Sequence, residues 1–287
     1  THTRGVSFLN LKTGTPDLME SDAVIVCGGT IESAKLLLSS ANKDWVDGIG
    51  NDSGHVGRHL IGHPVMGASG VRPGNPDKLA GELGFTSLIS RHFDSPEYQH
   101  KGKMWFSGSV SSNSSLERQI LSNVSRADMD ASLISEMRIS LGGEMEQFES
   151  PENRVGLGSG TTRHGLPTTE IEVGIHEINI RTRQEHVQTF VEILKTAGCR
   201  EDSIESYAGD PDGAHASSTC RMSSSDVDGV VDPDLQVHGT DNLYVCSNAV
   251  FPSIAAANPT LTVSALAVRL AEHIGEQSPL VPLSGSH

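Results

Sequence analysis

The pattern of apolar and polar positions predicts a mixed chain of short strands and a few helices. Residues 5–11 alternate apolar and polar side chains before a turn at 13–16, which indicates a hairpin. In residues 22–27 a continuous apolar run follows Asp22, typical of a strand buried on both faces of a parallel sheet. Two glycines end this run, and residues 31–41 then repeat apolar side chains at helical spacing. A strand, a glycine turn and a helix in this order form a unit that often meets a nucleotide in α/β folds.

The middle of the chain shows a different pattern. Residues 46–76 are rich in Gly, Asp, Asn and Pro, which predicts a loop-like connection. Beyond it, short β-like pieces alternate with turns and predict an α+β segment built on an antiparallel sheet. A helix with a polar outer face is predicted over about 181–197, with Gly198 as its stop. The β-like pieces cover residues 85–89, 104–110, 134–141 and 169–173.

Composition and charge narrow the classes of partner. The 287 residues hold 21 Lys and Arg against 36 Asp and Glu, a net charge of −15. Neither this total nor any basic run supplies the positive charge that binds a phosphate backbone, so we expect no nucleic-acid partner. The apolar runs are far shorter than the roughly 20 residues of a membrane span. Four cysteines without CxxC spacing predict neither a disulfide framework nor a zinc ribbon, and favour a reducing, cytoplasmic location.

Three histidines raise the question of a metal site. His55, His59 and His63 follow one another at intervals of four residues, which on a helix would place three imidazoles on one face. Glycines lie among them and Pro64 follows, which makes a continuous helix unfavourable. The glutamate of an HExxH motif is missing as well. We therefore predict no metal.

Candidate chemistry is densest beyond residue 212. His215 stands in the run 213–222, and Asn258, Pro259 and Thr260 precede an apolar stripe at helical spacing. Proline suits the first turn of a helix, and such a helix start presents free N–H groups to an anion or an electron-rich ring edge. Each residue also has a simpler interpretation. His215 alone would be a hydrogen-bonded structural residue, Asn258 a helix cap, and Cys220 a small buried hydrophobe.

The run 213–222, together with 242–252 and 257–263, strongly resembles the C-terminal signature of the glucose-methanol-choline (GMC) family of FAD-dependent oxidoreductases. The sequence Ile-Glu-Ser-Ala at 31–34 and the Asn-Pro-Thr run at 258–260 look most like those of the bacterial sugar oxidoreductases and pyranose-oxidase-like proteins. The chain departs from the family pattern at 216–219, where a glycine more often precedes the Thr, and at Asn248, where Asp is common. Three other regions are similar to the family: residues 22–38 to its adenine-side strand and helix, 54–64 to its crossing loop, and 153–155 with 165–167 to its substrate-domain hairpin.

The resemblance implies that FAD oxidises a secondary hydroxyl of a sugar or glycoside, at C2 or C3, to a ketone. It places the catalytic pair on His215 and Asn258. An imidazole, with an ordinary pKa of about 6.5, suits the role of base, whereas an amide can only orient the hydroxyl. The implied cofactor contacts are Gly28 and Gly29 near the adenine or ribose, Asn248 and Ala249 near the ribityl and pyrophosphate, and Pro259 and Thr260 at the pyrimidine edge of the flavin.

The resemblance also implies an α/β architecture in two regions. Residues 1–60 and 211–287 would form parts of a Rossmann-like FAD-binding domain, and residues 61–210 an α+β substrate domain with an antiparallel sheet. No GxGxxG follows a strand anywhere in the sequence, although the family carries that fingerprint at its N terminus. We therefore expect the N-terminal Rossmann half to be absent from this chain, and hypothesise a second polypeptide that carries it. Two other functions stay open: a lyase on the GMC scaffold, and a non-catalytic subunit that completes a partner's FAD domain.

Overall fold

The structure is a computed structural model that describes residues 1–74, 87–99, 101–112 and 136–277. These ranges hold both strands and helices, and the largest sheet is antiparallel, which confirms the predicted mixed α/β architecture with an antiparallel sheet. The outer residues of two predicted strands, 85–86 and 134–135, lie outside the described residues. The strands are β1 Gly5–Asn10, β2 Thr15–Glu20, β3 Val24–Val26, β4 Ile61–Pro73, β5 Ser87–Ser90, β6 Met104–Ser112, β7 Glu136–Met145, β8 Arg154–Thr161, β9 Pro167–Glu172, β10 Glu205–Ser217 and β11 Leu243–Val245, and the helices are α1 Gly29–Ser39, α2 Glu177–Thr196 and α3 Thr260–Gln277.

A five-stranded antiparallel sheet in the order β10-β4-β7-β6-β5 occupies the middle of the chain. Helix α2 covers one face, where Phe190 and Leu194 pack with Met66 and other buried apolar residues. Residues directly opposite each other on neighbouring strands share a face. The register places Glu144 directly between Val65 and Trp105. These three residues lie on the face of the sheet opposite to the one that α2 covers. The sheet therefore turns an apolar face to α2 and a second face toward the candidate site.

Strand β4 overturns the prediction of a loop over residues 46–76. Residues 61–73 form a central strand of 13 residues that pairs with β7 on one side and β10 on the other. The prediction interpreted the glycines as turn residues. In β4 they instead allow neighbouring groups to approach the strand closely. A Cβ at Gly67 would come 2.7 Å from Tyr207 Cε1 and 2.8 Å from the carbonyl oxygen of Leu141. Glycine inside a strand can mark such a close approach of neighbouring groups.

Strand β3 pairs in parallel with β11, which confirms the predicted parallel strand. Val24 and Val26 are buried in one core with Leu37 of α1. Ile25 between them is 48% exposed, so the prediction of burial on both faces is wrong. The reason is that this sheet has two strands within the described residues, and the α1 core covers one of its faces.

The two longer helices follow the sequence prediction closely. Helix α2 starts at Glu177, four residues before the predicted start, and its cap is Ala197. Gly198 follows in the left-handed conformation with φ +83°, as expected for a helix stop. Helix α3 turns its predicted stripe inward, with Leu270 buried and Val263, Leu266 and Ile274 packed against the same core. Among the described helices, none combines the length and apolar character that a bilayer crossing requires.

Buried apolar residues form two clusters. One joins β3, α1, β11 and α3, and the other lies between the sheet and α2. Val155 of the β8–β9 hairpin packs into the first cluster, although it belongs to the predicted 61–210 region. Strand β10 runs across the predicted boundary at residue 211. The division into domains therefore stays a prediction.

Gly57 fixes the loop that leads into β4, and we expect Gly57→Ala to destabilise the protein by about 2 kcal/mol or more. Gly57 has φ +84°, and an added Cβ would lie 2.2 Å from the carbonyl oxygen of Val155. The loop cannot move away freely, because Gly57 N donates to Thr219 O and Gly57 O accepts from Val155 N. The measurement is the free energy of unfolding in urea.

Gly54→Ala is the matched control for this change. Gly54 lies three residues earlier with φ +72°, but its added Cβ would meet nothing within 4 Å. This variant should lose only the cost of the left-handed conformation, about 1 kcal/mol. Equal losses in the two variants would contradict the proposed clash with Val155.

Candidate active site

Three titratable side chains meet on the site face of the sheet. β4 supplies His63, β7 supplies Glu144, and β10 supplies His215. Glu144 Oε2 lies 3.1 Å from His63 Nδ1 and 3.2 Å from His215 Nδ1. The two Nδ1 atoms are 3.0 Å apart, and the rings meet edge to face. Both imidazoles thus share one carboxylate oxygen.

Burial differs across this cluster. The side chain of His63 is fully buried, whereas those of His215 and Glu144 are 17% and 24% exposed. Burial lowers the pKa of His63, and the nearby Glu144 carboxylate opposes that shift. The lowered pKa favours the neutral form of His63, with one ring hydrogen, near neutral pH. His215 is the imidazole of the pair that solvent and small molecules can reach.

The loop before α3 places Asn258 beside a cavity of about 590 Å³. Trp105, Ile89 and the run 255–258 line this cavity. Trp105 is the residue that pairs with Glu144 across β6 and β7, and the backbone of Ala255 lies beside the imidazole of His63. The cavity, Asn258 and the His63–Glu144–His215 cluster therefore adjoin one another.

Asn258 is exposed, and its side-chain amide makes no hydrogen bond within the described part of the chain. Helix α3 begins two residues later, at Thr260. The helix-cap interpretation of Asn258 thus has no hydrogen bond to support it. The amide is free to donate to, or accept from, a molecule in the cavity.

Short hydrogen bonds join the segments that carry the predicted cofactor contacts. The hydroxyl of Thr30, at the start of α1, donates to Ala216 O over 2.5 Å. The hydroxyl of Thr219 donates to Thr30 O over 2.6 Å, and Ser218 N donates to Asn248 O over 3.1 Å. These bonds bring together the Gly28–Gly29 turn, the segment after His215 and the short 3₁₀ helix Asn248–Val250.

The six predicted cofactor residues differ in what they can offer. Gly28 and Thr260 are exposed, and Gly29 and Asn248 are half-buried. Pro259 is buried. Ala249 is fully buried, and its N–H donates to Ser247 Oγ while its carbonyl oxygen accepts from Cys220 N. Its backbone is thus engaged within the fold, and its contact with a cofactor stays a prediction.

Ser218 explains why the family pattern favours glycine near this position. Its φ is +85°, in the left-handed region where a glycine is unstrained. Its hydroxyl is buried and has no hydrogen-bond partner among the described residues. Ser218 lies beside Asn248, between the start of α1 and the 3₁₀ helix, so this hydroxyl is an unused polar group at the predicted cofactor side.

The histidines at 55, 59 and 63 lie in no helix, and they separate into two places. His55 Nδ1 lies 2.8 Å from His59 Nε2, and His59 Nδ1 lies 3.0 Å from Glu149. Only His63 of the three reaches the cluster with Glu144. The atoms of His63, Glu144 and His215 lie within 4.8 Å of one another, and their types are ones that bind divalent metals. The sequence spacing gave no sign of this grouping.

Cys220 agrees with its simpler interpretation. The side chain is fully buried, and burial raises the pKa of the thiol to about 12. A thiol with such a pKa is not a nucleophile near neutral pH. All four cysteines of the chain are free.

Comparison with known proteins shows which family part of this chain resembles. Residues 149–267 match the model of the family described as GMC oxidoreductase. This range includes His215 and Asn258. The chain is 25% identical to the 2-methyl-1,2-propanediol dehydrogenase of Mycolicibacterium austroafricanum over 285 residues, which cover 95% of this chain and 51% of that protein. It is 26% identical to the C-glycoside 3-oxidase of Microbacterium trichothecenolyticum, over 95% of this chain and 50% of that protein.

A solved structure agrees with the fold. The formate oxidase of Aspergillus oryzae RIB40, a protein with FAD, superposes with a TM-score of 0.60 at 17% identity, over 96% of this chain and 58% of that chain. The chain spans about half the length of the curated relatives it matches. The chain is thus similar to the GMC oxidoreductases, which are FAD-dependent flavoproteins, and residues 149–267 match the model of that family.

Proposed function

We propose that the protein oxidises a secondary hydroxyl of a sugar or glycoside, at C2 or C3, to a ketone. The observation that carries the proposal is the position of a reachable imidazole, His215, in a cluster that adjoins the Asn258 cavity. The similarity to a C-glycoside 3-oxidase supports a sugar substrate and oxidation at a ring carbon. The 2-methyl-1,2-propanediol dehydrogenase supports oxidation of a hydroxyl more generally.

The residues present fit FAD as the cofactor. Gly29 has φ +71°, and a Cβ there would meet nothing within 4 Å, so the turn before α1 is open to a close ligand. The buried hydroxyl of Ser218 is unused on the same side. The first turn of α3 has free N–H groups beside the exposed Thr260. The Gly28–Gly29 turn, Asn248 and Thr260 would hold the cofactor, and Ser218 offers a further hydroxyl.

The roles of the two site residues follow from their chemistry. His215 takes the proton of the substrate hydroxyl at its free ring nitrogen, Nε2. Asn258 donates to or accepts from the hydroxyl and orients it, because an amide cannot take a proton at this pH. When bound, FAD supplies the acceptor for the hydride from the same carbon. The O–H proton and the C–H electron pair thus leave in two directions, and a ketone forms.

An anaerobic titration of the flavin-loaded protein tests this function. We expect glucose or a glucoside to bleach the flavin absorbance, and the 2-deoxy or 3-deoxy analogue that lacks the reacting hydroxyl to leave it unchanged. 2-Methyl-1,2-propanediol is included as the non-sugar alcohol. Bleaching by the diol and by no sugar would overturn the sugar assignment. A lyase would convert substrate with the flavin still oxidised. Mass spectrometry of the same preparation tests for the expected second polypeptide.

A further inference from the structure

We propose that Glu144 is a positioning residue for His215: it accepts the Nδ1 hydrogen of that imidazole, so that Nε2 keeps its lone pair for the substrate hydroxyl. The inference rests on the proposed function, because it assigns a role to the partner of the proposed base. Glu144 lies 71 residues from His215 in the sequence, and no motif connects the two. Antiparallel pairing of β7 and β10 with β4 brings them together.

Hydrogen-bond accounting at the cluster supports this assignment. A carboxylate oxygen can only accept, so each nitrogen in contact with it must carry hydrogen. Both His63 Nδ1 and His215 Nδ1 lie within hydrogen-bond distance of Glu144 Oε2, at 3.1 and 3.2 Å. The 3.0 Å approach of the two nitrogens then follows from two donors that share one acceptor. A neutral His215 with hydrogen on Nδ1 has its lone pair on Nε2.

His63 is the competitor that makes Glu144 necessary. It is fully buried, and its Nε2 lies beside the backbone of Ala255 with no partner within hydrogen-bond distance among the described residues. Burial favours the neutral ring, and we assign its one hydrogen to Nδ1, because the Glu144 carboxylate lies 3.1 Å from that atom and is a stronger acceptor than the more distant Ala255 carbonyl. Without the carboxylate, the 3.0 Å contact between the rings would become the available hydrogen bond. His215 would then accept at Nδ1, and its own hydrogen would move to Nε2, where it would block the base.

The carboxylate has a second effect after proton transfer. When His215 accepts the hydroxyl proton, the imidazole becomes a cation with hydrogen on both nitrogens. A carboxylate in hydrogen-bond contact stabilises that charge. Glu144 is 24% exposed, so solvent weakens this attraction without removing it. Both effects act through His215, and Glu144 need not touch the substrate.

The test measures the ring hydrogen of His215 directly. ¹⁵N-histidine NMR of the flavin-loaded protein reports which ring nitrogen is protonated, and the His215→Ala spectrum identifies the His215 signals. We expect hydrogen on Nδ1 in the parent protein and on Nε2 in Glu144→Ala. We also expect kcat to fall about 10²-fold in this variant with KM changed less than about threefold. Glu144→Gln keeps the size of the side chain and one acceptor oxygen. Its kcat should lie between those of the parent protein and Glu144→Ala.

Glu136→Ala is the matched control. Glu136 lies on the same strand with 23% of its side chain exposed, against 24% for Glu144, and it pairs with Arg200 instead of a histidine. It should keep the Nδ1 hydrogen on His215 and the parent kcat. A Glu144→Ala protein with its hydrogen still on Nδ1 would overturn the proposal, whatever its activity.

Two further results would also decide against the positioning role. Activity lost on chelation and restored by a divalent ion would assign His63, Glu144 and His215 to a metal. A parent kcat in both Glu144 variants would show that His215 needs no partner. Failure of every sugar to bleach the flavin would instead remove the proposed function. The NMR measurement needs no turnover, so it tests the positioning role of Glu144 even if the proposed sugar oxidation is wrong.

Discussion

Replacement of His215 by alanine should slow the reduction of the flavin by a sugar about 10³-fold. The imidazole is 17% exposed and lies in the cluster beside the Asn258 cavity, and within the described residues its polar side-chain contacts involve only Nδ1. Its loss removes the proposed base for the hydroxyl proton, so the carbon would have to lose its hydride from a neutral alcohol. Anaerobic stopped-flow spectroscopy measures this step before any acceptor reoxidises the flavin.

Three comparisons keep this result specific. Chemical reduction by dithionite should proceed at the parent rate in His215→Ala, because that reaction needs no base. His164→Ala changes an exposed histidine in the β8–β9 turn and should leave the rate unchanged. Asn258→Ala should reduce the rate about 10²-fold, since the role we propose for the amide is to position the hydroxyl without taking a proton. An unchanged rate of flavin reduction in His215→Ala would assign the base to another group.

The sequence predicts His215 and Asn258 as site residues but gives no sign of Glu144. The first two stand in a local run of residues whose order alone carries the family resemblance. Glu144 becomes part of the site only through the register of three strands, with Val65 and Trp105 as its neighbours. The sequence analysis predicted a loop where β4 lies, and β4 is the strand that pairs with both β7 and β10. Local patterns contain no information on such pairing between distant segments.

The backbone near the predicted cofactor contacts also has features that the sequence alone could not predict. The family pattern predicts a contact at Ala249, yet hydrogen bonds within the fold already engage its N–H and carbonyl groups. The family pattern more often has glycine before the Thr that corresponds to Thr219. The positive φ of Ser218 explains this preference. Sequence order can thus indicate where a site lies. Which atoms remain available there depends on hydrogen bonds between segments that are far apart in the chain.

On the opposite face of the sheet, His186 should make the protein sensitive to acid. The side chain lies on α2, is 1% exposed, and packs against Phe93 with ring centroids 4.1 Å apart. Neither ring nitrogen has a hydrogen-bond partner in the described structure. Burial lowers the pKa of His186 to about 4, and the charges of Lys101 and His92 act in the same direction.

The sign of the effect follows from this pKa. In the unfolded chain the imidazole takes a proton at its ordinary pKa of about 6.5, while the folded protein resists it down to about 4. The stabilisation is therefore complete above pH 6.5 and is lost as the pH falls from 6.5 toward 4. By pH 4 this group alone should lower the free energy of unfolding by about 3 kcal/mol.

His186→Phe should remove that pH dependence. Phenylalanine has a similar shape, fits the cluster of Phe93 and Tyr98, and buries no ring nitrogen. We expect a higher free energy of unfolding at pH 7, and a loss between pH 7 and pH 4 that is smaller by about 3 kcal/mol than in the parent protein. Urea unfolding at pH 7, 5.5 and 4 measures both, with the exposed His164→Phe as control. The same acid loss in His186→Phe and the parent would show that other groups cause it. Since α2 covers the face away from Glu144, the variant should reduce the flavin at the parent rate, which separates the stability of this core from the chemistry of the site.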